Sequence, residues 1–168
     1  MLLNKFKKIG AMRRDIFSIA ERSRIMSLIR VKNTAPERLV KSALRVLGQR
    51  YRSHTKAMPG CPDIVLPEIK TVIFVNGCFW HQHGHCKRPG IPIKNPGSFW
   101  RKKFEKNAAR LKHQSRLLRS KGWAVFTIWE CKLGKNNGKT EAAIVEVNKI
   151  LNRVKLRNEK KKKQRKAN

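Results

Sequence analysis

Between Cys78 and Cys86 the chain holds two cysteines and three histidines, His81, His83 and His85, within nine positions. Nothing else in the sequence restricts the fold so strongly. The surrounding stretch, Gly77 to Gly97, is rich in Gly, Pro, His and Cys and poor in residues that could fill a core. Such a loop has little apolar surface with which to hold one shape. A metal staple would hold it. Structural zinc takes four thiolate or imidazole ligands in a tetrahedron. A further cysteine, Cys131, follows the apolar run Trp123 to Trp129, so Cys78, His83, Cys86 and Cys131 make a complete set for zinc (Zn2+). The other reading is buried thiols and exposed imidazoles that bind nothing, and clustering this dense disfavours it. His81 is left over and is available for chemistry. Cys61 stands apart beside prolines and reads as packing.

The partner follows from charge. Lys and Arg number 41 against 10 Asp and Glu, a formal net charge of +31 over 168 residues. Few enzymes of small anionic substrates need so much. A long polyanion such as nucleic acid does, because each neutralised phosphate releases counterions. Membrane surfaces and acidic proteins attract the same charge, so charge alone leaves the class open. No apolar run reaches transmembrane length, and Met1 to Arg14 lacks the apolar stretch of a signal peptide. The expectation is a cytosolic protein with reduced cysteines and no membrane partner, where metal ligation outranks disulfides.

The length suits one domain. Residues 1–20 read as a flexible basic extension, 21–152 as the domain, and 153–168 as a basic disordered tail of Lys, Arg and Asn. Ile25, Met26 and Ile29 form a short amphipathic turn. Thr34-Ala35-Pro36-Glu37 is a capping box that starts a helix with the stripe Leu39, Val40, Ala43, Leu44 and Leu47, ended by Gly48. Ile64 to Leu66 and Thr71 to Asn76 read as strands. Ser98 is expected to cap a second helix with Trp100, Phe104, Ala108, Leu111, Ser115 and Leu118 on one face. Trp123 to Trp129 reads as a strand buried on both faces, and Thr140 caps a last helix. The order α-β-β-α-β-α describes an α/β fold, a small mixed sheet flanked by helices, with a zinc-stapled loop.

Several residues carry two readings. Phe79 and Trp80 are either a hydrophobic plug over the zinc site or a wedge that unstacks base pairs, and Trp100 either joins them or heads its helix's core stripe. Lys87, Arg88, Lys94, Arg101, Lys102 and Lys103 crowd these aromatics and favour the nucleic-acid reading. Asp63, after Pro62 and ahead of a strand, is either a turn former or a magnesium ligand at the sheet end. Glu68 and Lys70 mimic a nuclease signature, but their spacing from Asp63 puts them in a turn. Glu37 has a structural duty as the reciprocal partner in its capping box.

Taken together, Ser23-Arg24-Ile25-Met26-Ser27-Leu28-Ile29-Arg30, Thr34-Ala35-Pro36-Glu37, Pro59-Gly60-Cys61-Pro62-Asp63, Phe74-Val75-Asn76-Gly77-Cys78-Phe79-Trp80-His81 and Trp129-Glu130-Cys131 resemble the Vsr family of very-short-patch repair endonucleases. The resemblance runs from about Asp15 to Leu151. It implies a restriction-endonuclease-like fold. It implies nicking of one DNA strand 5′ of the thymine in a T·G mismatch, the product of 5-methylcytosine deamination, and hence a link to a cytosine-5 DNA methyltransferase. Carried over by motif, Asp63 and the main-chain carbonyl of Val75 would bind magnesium (Mg2+), and His81 would be the general base. Glu37 would support catalysis near His81, and residue 76 would touch the scissile phosphate. Cys78, His83, Cys86 and Cys131 would bind zinc. Phe79, Trp80 and Trp100 would enter the base stack, and Met26 and Ile29 would approach DNA from the N-terminal arm. The resemblance also implies a monomer in the bacterial cytosol or nucleoid.

Four positions depart from the family pattern. Asn76 stands where His is usual, and one extra residue separates His83 from Cys86, which brings His85 into competition as a ligand. Cys61 replaces a basic residue, and Leu111 replaces a common Asp. Two rivals to the enzyme follow: a zinc-stapled DNA-binding module without catalysis, and a general basic nucleic-acid-binding protein.

Overall fold

The computed structural model describes residues 18–29, 32–87, 97–134 and 140–167. Its elements run α1 (Ile19–Ser27), α2 (Ala35–Val46), β1 (Ile64–Leu66), β2 (Thr71–Asn76), α3 (Ser98–Ser120), β3 (Ala124–Trp129) and α4 (Thr140–Ala167). Short 3-10 turns occupy Pro67–Ile69 and Glu130–Leu133.

α2 begins where its capping box predicts. The Thr34 hydroxyl accepts the Glu37 N–H, and the Glu37 carboxylate accepts the Thr34 N–H at 3.3 Å. Its buried stripe of Val40, Ala43 and Leu44 packs against Ala143, Val147, Ile150 and Val154 of α4 and against one sheet face. Among the described residues the sheet has three strands in the order β1-β2-β3. β1 and β2 are antiparallel, with Ile64 opposite Ile73. β2 and β3 are parallel, with Asn76 opposite Trp129. A parallel pair needs a long crossover, and the Cys/His loop with α3 provides it.

Alternation along the strands separates two cores. Ile64, Leu66, Ile73, Ala124 and Ile128 face α2 and α4, whereas Val65, Val72 and Phe74 face Leu118 of α3. The result is a mixed sheet between helical layers, as expected. No helix among the described residues is long and apolar enough to cross a membrane.

The structure corrects several local expectations. β3 is not buried on both faces: Ala124 and Ile128 join the core under α2 and α4, whereas on the other face Val125 is half-buried and Thr127 is exposed. Ser98 is the first residue of α3 rather than its cap; Gly97 holds the cap position, with no side-chain hydrogen bond. Asn107, not Ala108, lies on the buried face of α3, where its Nδ2 donates to the Trp80 carbonyl at 3.0 Å. The tail expected to be disordered is helical as far as Ala167. It contains no Gly or Pro, its Lys, Arg and Glu are good helix formers, and it extends a helix already nucleated by packing. Val154 belongs to the core, so the folded unit reaches past the expected boundary at residue 152. At the other end, α1 is capped by Ser18, inside the segment expected to be a flexible extension, while residues 1–17 lie outside the described residues.

The approach to Asp63 is shaped by Gly60, whose φ is +77° and whose added Cβ would lie 2.6 Å from Gln114 Oε1. Gly60→Ala is therefore expected to cost about 1–2 kcal/mol, mainly through the left-handed backbone. Chemical denaturation checks this, and unchanged stability would mean that the turn relaxes freely.

Candidate active site and metal centre

The Cys/His loop folds as its spacing suggests. The His83 N–H donates to the Cys78 carbonyl and the Cys86 N–H to the His83 carbonyl, each at 3.0 Å. Ligand atoms of Cys78, His83, Cys86 and Cys131 lie within 4.8 Å of one another. His83 Nδ1 is 3.7 Å from Cys78 Sγ and 3.4 Å from Cys131 Sγ. A tetrahedral zinc with ordinary bond lengths separates sulfur from nitrogen by about 3.6 Å, so the donor set fits zinc. His85 is exposed and outside this set, its ring centroid 6.3 Å from that of His83. The His83 ring is held flat against Trp129 at 4.0 Å. Burial, reinforced by the thiols of Cys78 and Cys86, pushes the Cys131 thiol up to about 12. A cation would reverse that sign, because coordination deprotonates thiols.

The second constellation forms at the sheet end next to this loop. Asp63 precedes β1, and its Oδ2 accepts the Val75 N–H at 2.8 Å. Burial raises its carboxyl from 3.8 to about 6; the Glu37 carboxylate adds to the rise, and the Val75 hydrogen bond and Lys41 oppose it. Glu37 is 3% exposed and holds its capping box, and its carboxylate lies with that of Asp63 and the His54 ring rather than with His81. A pair of facing carboxylates, one raised in this way, is a donor set that fits a divalent cation. Lys41, also buried, donates to Asn33 Oδ1 at 2.6 Å beside the pair.

β2 carries the chain onward through Val75 and Asn76 to His81. Asn76 is 4% exposed, and its Nδ2 has no hydrogen-bond partner. The His81 N–H donates to the Gly77 carbonyl at 3.2 Å, and its buried Nδ1 is likewise unpartnered. Burial, with Arg110 adding to it, lowers the His81 pKa, which keeps the imidazole neutral near pH 7. No hydrogen bond or ion pair joins His81 to Glu37; Glu37 meets Asp63 and His54 instead. Glu68 and Lys70 are exposed in the turn at the opposite end of the β1–β2 pair from Asp63.

Phe79, Trp80 and Trp100 pack together with Phe104 and Met26. Phe79 meets Trp80 edge-on at 4.9 Å and Trp100 at 5.4 Å. Trp100 is only 3% exposed. The cluster thus plugs the space between the Cys/His loop, α1 and α3. The guanidinium of Arg22 lies 4.2 Å over the Phe99 ring and ties α1 to α3. Ile29 is half-buried and outside this cluster. Of the basic residues around the aromatics, Arg88 and Lys94 lie outside the described residues.

One residue of the site escaped the sequence reading. His54 lies in no helix or strand, yet its Nε2 is 3.2 Å from Glu37 Oε2. Only its residue type, in a segment leading to Asp63, could have flagged it.

Residues 14–88 match the family described as DNA mismatch endonuclease Vsr. The chain is 43% identical over 119 residues to the type II nicking enzyme V.XorIIP of Xanthomonas oryzae, covering 71% of this chain and 86% of that protein. It is also 43% identical over 120 residues to V.NmeAIP of Neisseria meningitidis, covering 71% and 84%. With the DNA mismatch endonuclease Vsr of Escherichia coli it shares 36% identity over 132 residues, 79% of this chain and 83% of that protein. A restriction-endonuclease-like mixed sheet, a Cys/His cluster able to hold a metal and these matches place the chain in the Vsr family of DNA mismatch endonucleases.

Proposed function

We propose that this endonuclease nicks one strand of duplex DNA on the 5′ side of the thymine in a T·G mismatch, with magnesium at Asp63 and His81 as general base. The reading rests on one observation above all: Asp63 accepts the Val75 N–H at the end of β2, and Asn76, which closes that strand, and His81, in the loop after it, keep buried, unpartnered nitrogens. Such groups cost stability unless a ligand satisfies them. Asp63, with the Val75 carbonyl, would hold the cation, and Glu37 backs Asp63. Bound magnesium would make the phosphorus more electrophilic. His81 accepts a proton from water, whose oxygen bonds to phosphorus as the phosphorus–oxygen bond to one sugar breaks and that oxygen is protonated. Asn76 donates Nδ2–H to a phosphate oxygen, a task that an amide shares with an imidazole.

Phe79, Trp80 and Trp100 form the wedge. Because Trp100 is buried in a cluster against which Met26 packs, the wedge would enter DNA after a shift of α1 that turns Met26 and Ile29 toward the duplex. A wobble pair stacks less well than a Watson–Crick pair, so selectivity draws on deformability. Zinc on Cys78, His83, Cys86 and Cys131 keeps the loop in shape. The enzyme acts as a monomer in the cytosol or nucleoid, beside a cytosine-5 DNA methyltransferase. Residues 1–20 and the basic end of α4 are extensions of a domain centred on residues 21–152.

The test is a labelled duplex with one T·G mismatch in a methylated-cytosine context, beside its T·A control, in magnesium and then in EDTA. Cutting of the thymine strand alone, only with magnesium and only at the mismatch, is expected. Tight mismatch binding without cutting would overturn the catalytic reading in favour of a binding module, and Asn76→His would show whether residue 76 is responsible.

A further inference from the structure

Two carboxylates at a sheet end describe a site for a hard cation, but a nitrogen stands between them here. Ligand atoms of Glu37, His54 and Asp63 all lie within 4.8 Å of one another. His54 Nε2 approaches Glu37 Oε2 to 3.2 Å, yet this buried nitrogen makes no aligned hydrogen bond. The ring is close to the carboxylate without being directed at it.

Acceptor capacity on the two acids remains. Glu37 Oε1 accepts the Thr34 N–H and hydroxyl, and Oε2 accepts the Asn33 N–H at 2.9 Å. A carboxylate oxygen has two lone pairs, so Oε2 keeps one. Asp63 Oδ2 accepts the Val75 N–H, and the residue's own backbone N–H also bears on the carboxylate, which leaves lone pairs to spare on its two oxygens. Three unspent donor atoms therefore converge, one of them nitrogen.

The backbone is bent to put that nitrogen there. His54 has φ +51°, in the left-handed region that a histidine seldom occupies. Two residues earlier, Arg52 is bonded both ways to Val65 at 2.8 Å, which pins the segment beside the strand that Asp63 opens. Strain retained at a side chain that caps nothing and fills no core cluster is typical of a ligand clamp.

Magnesium takes oxygen ligands, and imidazole binds most strongly the later first-row ions. Mn2+, which also takes carboxylates, stands lowest in that first-row series yet is the softer ion beside Mg2+, so one imidazole among carboxylates separates the two. We infer that Glu37, His54 and Asp63 form one mixed nitrogen–oxygen site in which His54 coordinates a divalent transition cation and shifts preference from Mg2+ toward Mn2+. This rests on the cation site at Asp63 proposed above. His54 is a ligand in this reading, not merely a hydrogen-bond partner of Glu37.

The experiment titrates Mn2+ into the zinc-loaded full chain, following free Mn2+ by electron paramagnetic resonance, with Mg2+ as competitor. His54→Asn is the main variant, because Asn tolerates the left-handed backbone but withdraws the ring. His54→Gln is the second. Both are expected to weaken Mn2+ at least about tenfold while Mg2+ changes little, so the preference collapses. Nitrogen modulation from a coordinated imidazole is expected in the pulsed spectrum of the parent and of His81→Gln, and to vanish in the His54 variants. Unchanged Mn2+ affinity, or modulation surviving in both His54 variants, overturns the inference. Asp63→Asn separates the two levels. If it abolishes Mn2+ binding while the His54 variants do nothing, only the role of His54 fails. If it leaves binding intact, the Asp63 cation site fails and this inference falls with it.

Discussion

Cys131→Ser is expected to lose the bound metal and to destabilise the fold by several kcal/mol, enough to leave a domain of this size largely unfolded at 37 °C. Serine differs by one atom and its hydroxyl is a poor zinc ligand, so the change isolates coordination from packing. In this reading zinc is the tie between the end of β3 and the loop segment that holds Cys78, His83 and Cys86. Cys78, His83 and Cys86 are buried, but the loop beyond them is rich in Gly and Pro. Structural zinc contributes about 10–16 kcal/mol of apparent binding free energy in small domains. Losing one of four ligands forfeits a large part of that against a typical net stability of about 5–15 kcal/mol. Metal content by mass spectrometry, with thermal unfolding on the same samples, decides the matter. A variant that keeps one zinc per chain and unfolds at the parent's temperature would show that Cys131 is not the fourth ligand.

Asp63→Asn is expected to reduce nicking by about 10³-fold or more while mismatch binding survives, since a lost cation site removes several kcal/mol of charge stabilisation. The same substitution should act on stability in the opposite sense. In the folded protein the Asp63 carboxyl sits near 6, above its ordinary 3.8, chiefly through burial. Its contribution is therefore fully present below about pH 3.8 and is lost as pH rises through 6. Across that window the loss amounts to about 3 kcal/mol as an upper bound, at 1.36 kcal/mol per pH unit. In magnesium-free buffer, the zinc-loaded Asn variant should then be more stable than the parent at pH 7 and no more stable at pH 4. Asn keeps an acceptor for the Val75 N–H, so the comparison reads charge rather than a lost hydrogen bond. A stability difference that is the same at both pH values would sink the assignment. The cost of burying a charge at an empty cation site and the proposed hold on a cation at a filled one would thus be two sides of one carboxylate.

Local signals were the readable part of this chain. The Thr34–Glu37 box, the Thr71–Asn76 run and the nine-residue Cys/His cluster each act over a few positions, and each appears where expected. Their distant partner Cys131 was readable because cysteine is scarce here and one residue completes a tetrahedron. What failed were judgements that depend on a neighbour. β3 looked fully buried because its residues are apolar, but burial depends on which helices lie over each face, and Thr127 is left exposed. Helical spacing put Ala108 on the inward face of α3, but Asn107 is buried there instead because its amide reaches the Trp80 carbonyl. His54 was unreadable for both reasons: it lies outside any periodic element, and its importance comes from a left-handed backbone that places it against Glu37, 17 positions before it in the chain.

The spacing of the four sulfur and nitrogen ligands also orders events in time. Cys78, His83 and Cys86 are neighbours along the chain and can meet without any tertiary structure. Cys131 comes 48 residues after His83 and stands just past the end of β3. It reaches the others only when β3 has aligned beside β2, with the whole crossover already threaded. Three of the donors are thus local in sequence, and a full set of four requires the parallel pairing of β2 with β3. A spectroscopically visible ion bound by all four donors would in this way report the β2–β3 pairing, a long-range parallel contact of the kind that forms slowly.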